Sequence, residues 1–224
     1  MHRCTLVLLL CLSTALVAQD TKPAPTYLGR RIAQTMHWTG ADWLTRHNRE
    51  QEEAGEIMRK ELHLKPGMNV CDMGSGNGYH TIPMAKAIAP EGKAYAVDIQ
   101  PEMLKLLAER AKTENVTNII SVLNTETDPK LPAASCDLIL LVDVYHEFSK
   151  PKEMLDGMKQ ALKPHGQLVF VEFRGEDASV PIKPEHKMTK AQVTKELNAS
   201  GFQLARSFDD LPWQHMLFFE AVQK

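Results

Sequence analysis

The sequence has 224 residues, of which 43% are hydrophobic and 24% are charged. This composition is typical of a globular chain, and the length suits one α/β domain with a sizeable core. The 26 Lys and Arg residues are balanced by 28 Asp and Glu residues, which gives a formal net charge of -2. Because there is no basic excess to neutralise a phosphate backbone, we expect no nucleic-acid partner.

The N-terminus has the layout of a secretory signal. A short cationic start with Arg3 precedes an apolar run over residues 5–17, and Ala18 supplies a small residue for cleavage. The run is shorter than the roughly 20 residues that a transmembrane helix needs. We therefore predict a signal peptide over residues 1–18 and export to the periplasm or the medium. Two alternatives stay open: retention as a membrane anchor, and a cytoplasmic protein that starts downstream, for example at Met36.

Residues 19–40 are rich in Pro, Thr and Gly without a sustained period, which predicts a linker that becomes ordered near Tyr27–Ile32. The predicted domain covers residues 41–224. It begins with apolar residues spaced among charges from Ala41 onward, a pattern that indicates an amphipathic helix ending at Lys65-Pro66-Gly67.

Strands and helices then alternate along the chain. The predicted strands are Met68–Met73, Lys93–Ile99, Asn118–Leu123, Asp137–Val142 and Gln167–Phe173. The predicted helices are about Tyr79–Ile88, Glu102–Thr113 and Lys152–Leu162. Continuous apolar strands that alternate with helices indicate a parallel sheet covered on both faces.

The C-terminal part breaks this alternation. A helix is predicted over Thr189–Ser200, and two strands, Gln203–Phe208 and His215–Val222, follow with a turn at Pro212. Two strands joined by a short turn pair in antiparallel fashion. The predicted fold is therefore α/β: a doubly wound, Rossmann-like, mostly parallel sheet with helices on both faces and a C-terminal antiparallel hairpin at one edge.

The turn after the first strand of this sheet carries the strongest chemical signal. It reads Asp72-Met-Gly74-Ser-Gly76-Asn-Gly78 and leads into a helix. Glycines allow positive φ and a close approach of the backbone to a ligand, and the helix presents unpaired N–H groups at the switch point of the sheet. Asp98 ends the second strand, about twenty residues after Gly78 in the sequence. At this separation a carboxylate accepts hydrogen bonds from ribose hydroxyls in nucleotide-binding folds.

Two kinds of nucleotide ligand compete for this turn. A dinucleotide site spaces its glycines G-x-G-x-x-G, because a pyrophosphate lies on the helix N-terminus. Here the spacing is G-x-G-x-G, and Asp72 stands two residues before the first glycine. A carboxylate there repels a pyrophosphate and attracts an ammonium or sulfonium group. The pattern favours a nucleoside with a cationic amino-acid tail over a nicotinamide dinucleotide.

With these features the chain resembles the class I S-adenosylmethionine-dependent methyltransferases, in particular the small bacterial group with a single domain. The likeness covers roughly His47–Lys224 and rests on the segments VCDMGSGNGYHTIPMA, AYAVDIQPEML, CDLILLVDVYHEF and ALKPHGQLVFVEF. It implies that S-adenosylmethionine is the cofactor and that its methyl group passes to an acceptor. We expect a small-molecule acceptor, whose identity and whose reacting atom the sequence does not reveal.

The resemblance also assigns cofactor contacts. The methionine end would be held by Asp72 and the loop residues Gly74, Ser75, Gly76, Asn77 and Gly78. Asp98 would bind the ribose, and Ile99 and Gln100 would flank the adenine. Asp143, at the end of the fourth strand, is predicted to face the sulfonium methyl group or the acceptor, because ligands bind outside the carboxyl ends of such strands.

One departure from the family pattern concerns the adenine. After the third strand the family often has Gly-Asp, whereas this chain has Asn124-Thr125-Glu126. Thr125 is the aligned residue, and Asn124 and Glu126 are possible substitutes. The missing Asp also leaves open a module that binds the nucleoside without transferring a methyl group.

Polar residues at the ends of the fourth and fifth strands are predicted to surround the acceptor, because ligands bind outside the carboxyl ends of such strands. His146 is a candidate general base, since its ordinary pKa is near neutrality, and Tyr145 is a second catalytic candidate. The alternative is that both residues shape the pocket and pack against the next helix. Glu172 is predicted to contact the substrate.

The segment around Trp43 resembles the cap helix that many relatives place over the cofactor. Trp43, Arg46 and Arg49 are therefore predicted substrate contacts, and guanidinium groups suit an anionic acceptor. The alternative is a solvated helix face on which the two arginines pair with Glu50, Glu52 and Glu53. Residues 183–188 form a loop before the last predicted helix and are a candidate lid.

No metal site is predicted. His146-Glu147 lacks a second His four residues on, and no ligand spacing links the other histidines considered, which we expect on the surface or in loops: His80, His165, His186 and His215. Cys71 and Cys136 lie in or beside apolar strands, which favours buried free thiols over a disulfide.

Overall fold

The computed structural model describes residues 25–222. The predicted signal peptide lies outside this range. Within it, none of the helices combines the length and the apolar character that crossing a bilayer requires.

The described chain starts with a two-stranded antiparallel hairpin, β1 (Thr26–Tyr27) and β2 (Arg30–Arg31). The Arg30 Nε atom lies 2.8 Å from Glu196 Oε1, and the amide of Ala33 donates to the carbonyl of His146. The described part of the predicted linker is therefore packed on the domain.

The cap segment forms three short pieces in place of the single amphipathic helix predicted from Ala41. A 3₁₀-helix covers Trp38–Thr45, and the helices α1 (Arg49–Glu53) and α2 (Gly55–Glu61) follow. Between α1 and α2, Ala54 has a φ of 48°, and this left-handed residue ends α1. The spacing of apolar residues predicts which face of the segment is buried, but it does not predict that the helix is interrupted at Ala54.

A seven-stranded sheet forms the centre of the domain. Its strands are β3 (Val70–Met73), β4 (Ala94–Asp98), β5 (Ile119–Leu123), β6 (Cys136–Val142), β7 (Leu162–Phe173), β8 (Phe202–Phe208) and β9 (Gln214–Ala221). Their order across the sheet is β5-β4-β3-β6-β7-β9-β8. Strands β3 to β7 pair in parallel, and β9 runs antiparallel to both β7 and β8. The predicted fold class, including the C-terminal antiparallel hairpin, is confirmed.

Helices cover both faces of this sheet. They are α3 (Thr81–Ile88), α4 (Pro101–Thr113), α5 (Pro151–Ala161) and α6 (Lys190–Ala199). Because side chains alternate along a strand, Val70 of β3 belongs to a core with Met84 of α3, whereas Cys71 belongs to a core with Leu155 of α5 and Leu197 of α6. Each such fully buried aliphatic side chain contributes roughly 1.5–3 kcal/mol.

Cys71 and Cys136 are both buried and free, as predicted. The strand order reverses between β3 and β6, so the carboxyl ends of these two strands diverge into separate connections. This switch point is where an open α/β sheet holds its ligand.

Candidate active site

A cavity of about 760 Å³ opens at the carboxyl ends of β3, β4 and β6. Ligand pockets typically measure about 300–1,000 Å³, so this volume is near the upper end of the range. Strand-end residues such as Gly74 and Asp98 form one wall, and Met36, Trp43 and Leu44 of the N-terminal segment form another. The cavity is thus enclosed between the sheet edge and the cap.

The glycine loop after β3 turns sharply under this cavity. Gly74, Gly76 and Gly78 have φ values of 76°, 51° and 85°, in the left-handed region that favours glycine. A Cβ atom on Gly74 would collide with the side chain of Val144, and one on Gly78 would lie 2.8 Å from Leu107 Cγ. The loop therefore needs glycine for its backbone conformation and for space.

Asp98 is held at the cavity wall by backbone donors. Its Oδ2 accepts from the amide of Gly76 and its Oδ1 from the amide of Gln100, both at 2.9 Å. Burial raises the pKa of Asp98, and the backbone hydrogen bonds from Gln100, Gly76 and Ile99 oppose this rise. Since a carboxylate oxygen has two lone pairs, each oxygen can still accept from a ligand hydroxyl.

Asp143 follows β6 and lines the same cavity. Its φ of 49° is unusual for a residue other than glycine, and such backbone strain clusters at functional sites. Its Oδ2 accepts from Gln214 Nε2 at 2.5 Å, while its buried Oδ1 has no hydrogen-bond partner among the described residues. Burial, followed by the charges of Glu53 and Glu172, raises the pKa of Asp143 well above its usual range.

The predicted adenine side of the cavity is lined by Ile99, Gln100, Asn124 and Thr125. Gln100 also fixes the N-terminal segment, because its Nε2 donates to the carbonyl of Met36 at 2.9 Å. The buried Oδ1 of Asn124 has no partner within residues 25–222. Asn124, one of the two possible substitutes, thus offers a free acceptor at this wall.

Several loop residues predicted to hold the methionine end lie behind the loop and off the cavity wall: Asp72, Ser75, Asn77 and Gly78. The Oδ2 of Asp72 accepts from the hydroxyl of Thr81 at 2.5 Å, and burial raises the pKa of Asp72 to about 6. Asn77 instead ties the loop to the cap, since its Nδ2 donates to the carbonyl of Ala41 at 3.1 Å.

The part of the cavity wall that follows β6 and precedes α6 carries a pair of histidines. His146 lies in the 3₁₀ turn Tyr145–Glu147 after β6, and its Nδ1 is 2.6 Å from Glu172 Oε2. Its Nε2 is 3.1 Å from Nδ1 of His186, 40 residues further along the chain. Burial alone would lower the pKa of His146, but the Glu172 carboxylate outweighs it and the pKa is raised.

Glu147 lines this part of the wall as well. Its Oε1 lies 4.0 Å from His186 Nδ1 and accepts from the amide of Met36 at 3.2 Å. Burial raises the pKa of Glu147 to about 7. Of the sequence candidates, His146 is thus on the cavity wall, with Glu147 and His186 beside it.

The structure corrects the predicted roles of two residues at the strand ends. Tyr145 is fully buried, and its hydroxyl donates to Glu196 Oε2 at 2.7 Å. It packs in the core, which contradicts a catalytic role in the cavity. Glu172 is also fully buried behind His146, so it contacts His146 and not the cavity.

Of the three predicted substrate contacts in the cap, two line the cavity and one does not. Trp43 lines the cavity and is half exposed. Arg46 pairs with Glu52 and Glu53 at 2.7 and 2.5 Å and stacks on Trp43, which keeps it off the cavity wall and contradicts its predicted substrate contact. Arg49 is buried and paired with Glu53 at 2.8 Å, yet it remains on the wall.

Several histidines and wall residues differ from what the sequence predicts. His80 lies in the turn before α3, where it is buried, and His215 is buried in β9 rather than on the surface or in a loop. Met36 and Glu53 belong to the cavity wall. Lys183 and His186, from the candidate lid, line the cavity too. No local sequence motif predicts that these residues line the cavity, because only the folded chain brings them together.

Comparison with known proteins places this geometry in context. Residues 64–215 match a family described as "Methyltransferase domain". The crystal structure of a SAM dependent methyltransferase from Aquifex aeolicus has a TM-score of 0.79 and 25% identity, with 84% of this chain and 100% of that chain covered.

Two curated relatives carry methyltransferase names. A demethylmenaquinone methyltransferase of Listeria welshimeri is 26% identical over 168 residues, which is 75% of this chain and 67% of the relative. A protein-L-isoaspartate O-methyltransferase of Methanothrix thermoacetophila is 28% identical over 109 residues. That match spans about half of each protein, 49% in both cases.

Proposed function

The chain belongs to the class I S-adenosylmethionine-dependent methyltransferases, and from that premise we propose that it methylates an apolar small molecule that carries a polar reacting group. The relatives named above are methyltransferases, and they lend no support to a nicotinamide-dependent oxidoreductase or to a non-catalytic nucleoside-binding module.

The charge of the cavity wall fits a cationic cofactor. The carboxylates on the wall are Glu53, Asp98, Glu126, Asp143 and Glu147, against the cations Arg49 and Lys183. Acidic groups thus outnumber Lys and Arg on the wall, and their ionised forms attract an ammonium or sulfonium group and disfavour a pyrophosphate. The observation that carries the proposal is the placement of Gly74, Asp98 and Asp143 on the wall of one cavity, at neighbouring strand ends.

These residues have distinct roles in the proposal. Asp98 accepts from the ribose hydroxyls, and Asn124 Oδ1 accepts from the adenine amino group. Asp143 and the backbone of Gly74 hold the cationic methionine end. When bound, the cofactor supplies an electrophilic methyl group, and the electrons of the broken C–S bond stay on the sulfur.

The other end of the cavity supports an apolar acceptor. Phe148, Phe173, Pro181 and Ile182 line the cavity together with His146, so an apolar body and one polar atom find matching surfaces. The relative named for demethylmenaquinone is consistent with such an acceptor. Methyl transfer needs little covalent assistance, so the chain contributes mainly by holding both molecules in line and by excluding water under the cap.

We also propose that the protein is exported by its N-terminal residues 1–18. The proposal rests on the cationic start and the apolar run of the sequence. Cell fractionation with N-terminal sequencing tests it: a mature chain beginning at Gln19 outside the cytoplasm supports export, and an intact N-terminus in the cytoplasm overturns it.

Calorimetric titration with S-adenosylmethionine and S-adenosylhomocysteine tests the cofactor assignment. The wild type should bind both, and Asp98→Ala should bind about 100-fold more weakly or worse, because hydrogen bonds to a charged group contribute about 1.5–3 kcal/mol each. Glu109→Ala, an exposed carboxylate on α4, is the matched control and should bind like the wild type. Equal affinity of Asp98→Ala and the control would remove the ribose assignment.

The acceptor can be found with a metabolite screen. Extracts incubated with protein and cofactor should yield a compound whose mass grows by one methyl group, and Asp98→Ala should not yield it. An acceptor without an apolar body would contradict the proposed substrate class.

A further inference from the structure

The acceptor end of the cavity brings together three potential metal ligands. His146, Glu147 and His186 each offer one ligand atom, and these atoms all lie within 4.8 Å of one another. We propose that the three side chains bind a divalent transition metal of the zinc type, which holds a hydroxyl group of the acceptor. The metal site stands on its own geometry, and only the role given to the acceptor rests on the proposed function.

The distances between the side chains suit such a metal. Zinc–nitrogen bonds of about 2.0–2.1 Å in a tetrahedral site place neighbouring ligand atoms about 3.3 Å apart. The Nε2 of His146 and the Nδ1 of His186 are 3.1 Å apart, and their rings are nearly perpendicular. Glu147 Oε1 lies 4.0 Å from His186 Nδ1 and within 4.8 Å of the His146 ligand atom, so a bound metal would draw it closer to both.

Glu172 supplies the supporting contact that metal-binding histidines require. A ligating His usually donates its second ring N–H to a carboxylate, which fixes its tautomer and its orientation. Here Glu172 Oε2 accepts from His146 Nδ1 at 2.6 Å, and both side chains are buried. In the neutral ring this contact holds the proton on Nδ1 and leaves the lone pair of Nε2 facing His186 Nδ1.

The backbone on both sides of the cluster is fixed. The guanidinium of Arg30 donates to the carbonyl of His146 at 2.8 Å. Beside His186, Lys187 Nζ donates to the carbonyl of Asp177 at 2.9 Å, and the amide of Met188 donates to the carbonyl of Phe173. Ligands held on such anchored segments are positioned before the metal arrives.

Three protein ligands leave at least one coordination position, which faces the cavity. An oxygen bound there has a strongly lowered pKa, so an acceptor hydroxyl loses its proton to water and stays bound as an anion. The acceptor class is therefore a phenol-like or enol-like hydroxyl on an apolar body. Coordination also uses the His146 lone pair that a general base would need, so the two roles of His146 exclude each other.

Calorimetric titration of the chelator-treated full-length protein with Zn²⁺, without cofactor or acceptor, tests the site. The wild type should bind one equivalent. His186→Ala and Glu147→Gln should each lose at least 10-fold in affinity. Glu172→Gln, which removes no ligand, should lose about 10- to 100-fold because it releases the ring of His146. His63→Ala, an exposed histidine outside the cavity, is the control and should bind like the wild type.

No zinc binding by the wild type would overturn the site and leave His146 as the general base. Zinc affinity that is unchanged in both His186→Ala and Glu147→Gln would also overturn it, because the metal would then lie elsewhere. Glu147→Gln is nearly isosteric, so thermal unfolding should verify its fold even if His186→Ala fails to fold. Titration of the same samples with S-adenosylhomocysteine separates the two proposals. Protein that binds S-adenosylhomocysteine but not zinc overturns only the metal site. Protein that binds zinc but not S-adenosylhomocysteine overturns the proposed function.

Discussion

The two ends of the cavity are built in different ways. The cofactor end is built around the turn after β3 and the end of β4, where the amide of Gly76 donates to Asp98, and Asn124 after β5 and Asp143 after β6 add to it. The acceptor end joins His146 after β6 and His186 before α6, and Glu172 of β7 supports His146 from behind the cavity wall. The first end is a local motif with backbone donors, whereas the second exists only when the fold assembles it.

The largest expected effect is at the glycine loop. Gly74→Ala should weaken S-adenosylmethionine binding by about 100-fold or more, because the new Cβ collides with Val144 at the cavity wall. The unfolding free energy should also fall by about 1–2 kcal/mol, since a left-handed backbone is unfavourable with a Cβ. Titration calorimetry and denaturant unfolding measure the two effects.

Gly67→Ala is the matched control for this loop. Gly67 has a similar φ of 85°, but a Cβ there finds only Glu91 Oε2 at 4.0 Å. It should lose about 1–2 kcal/mol of unfolding free energy from the backbone strain alone and keep the wild-type cofactor affinity. If Gly74→Ala binds S-adenosylmethionine with wild-type affinity, this loop does not form the cofactor end. If Gly74→Ala also loses zinc affinity, the two ends of the cavity are not independent.

The second effect concerns the buried carboxyl of Asp72. Its folded-state pKa of about 6 lies above the ordinary value of 3.8, so the folded state binds the proton more tightly and stability falls as pH rises from about 4 to about 6. Asp72→Asn removes this loss and should be more stable than the wild type at pH 8 by up to about 3 kcal/mol. The difference should vanish near pH 4, as measured by denaturant unfolding.

The same variant tests whether Asp72 contacts the methionine end of the cofactor directly. Because Asp72 lies behind the loop, Asp72→Asn should change cofactor affinity by less than about threefold. A loss of tenfold or more would return Asp72 to direct contact with the methionine end, as its position in the sequence motif predicts.

The third effect concerns Asp143, whose pKa is raised well above its usual range by burial and by the charges of Glu53 and Glu172. A cationic ligand favours the ionised form, so cofactor binding should release a proton and the affinity should rise with pH. Asp143→Asn should lose about tenfold in affinity and show a flatter pH profile. Calorimetry in buffers of different ionisation enthalpy measures the proton release, and proton uptake on binding would contradict the assignment.

The smallest effect is at Tyr145. Tyr145→Phe should cost about 1 kcal/mol of unfolding free energy, because Glu196 keeps its contacts to Arg30 and Gln192, both at 2.8 Å. Once an acceptor is known, its turnover rate should stay at the wild-type value. A tenfold fall in turnover with unchanged cofactor affinity would restore the predicted catalytic role.

The same contrast explains how much the sequence could predict. Glycine spacing and a strand-end carboxylate are local signals, so the loop around Gly74 and the position of Asp98 at the cavity wall were accessible from the sequence. The direction of each side chain was not, because the turns after β6 decide that Tyr145 enters the core while His146 enters the cavity. The pairing of His146 with His186 depends on two loops 40 residues apart, and no spacing rule encodes such a contact.

A crystal structure with S-adenosylhomocysteine bound tests the division of the cavity most directly. We expect the ribose hydroxyls within hydrogen-bond distance of Asp98, the adenine amino group at Asn124, and the sulfur directed toward His146. A ligand bound in the reverse direction, with its adenine at His146 and His186, would contradict it.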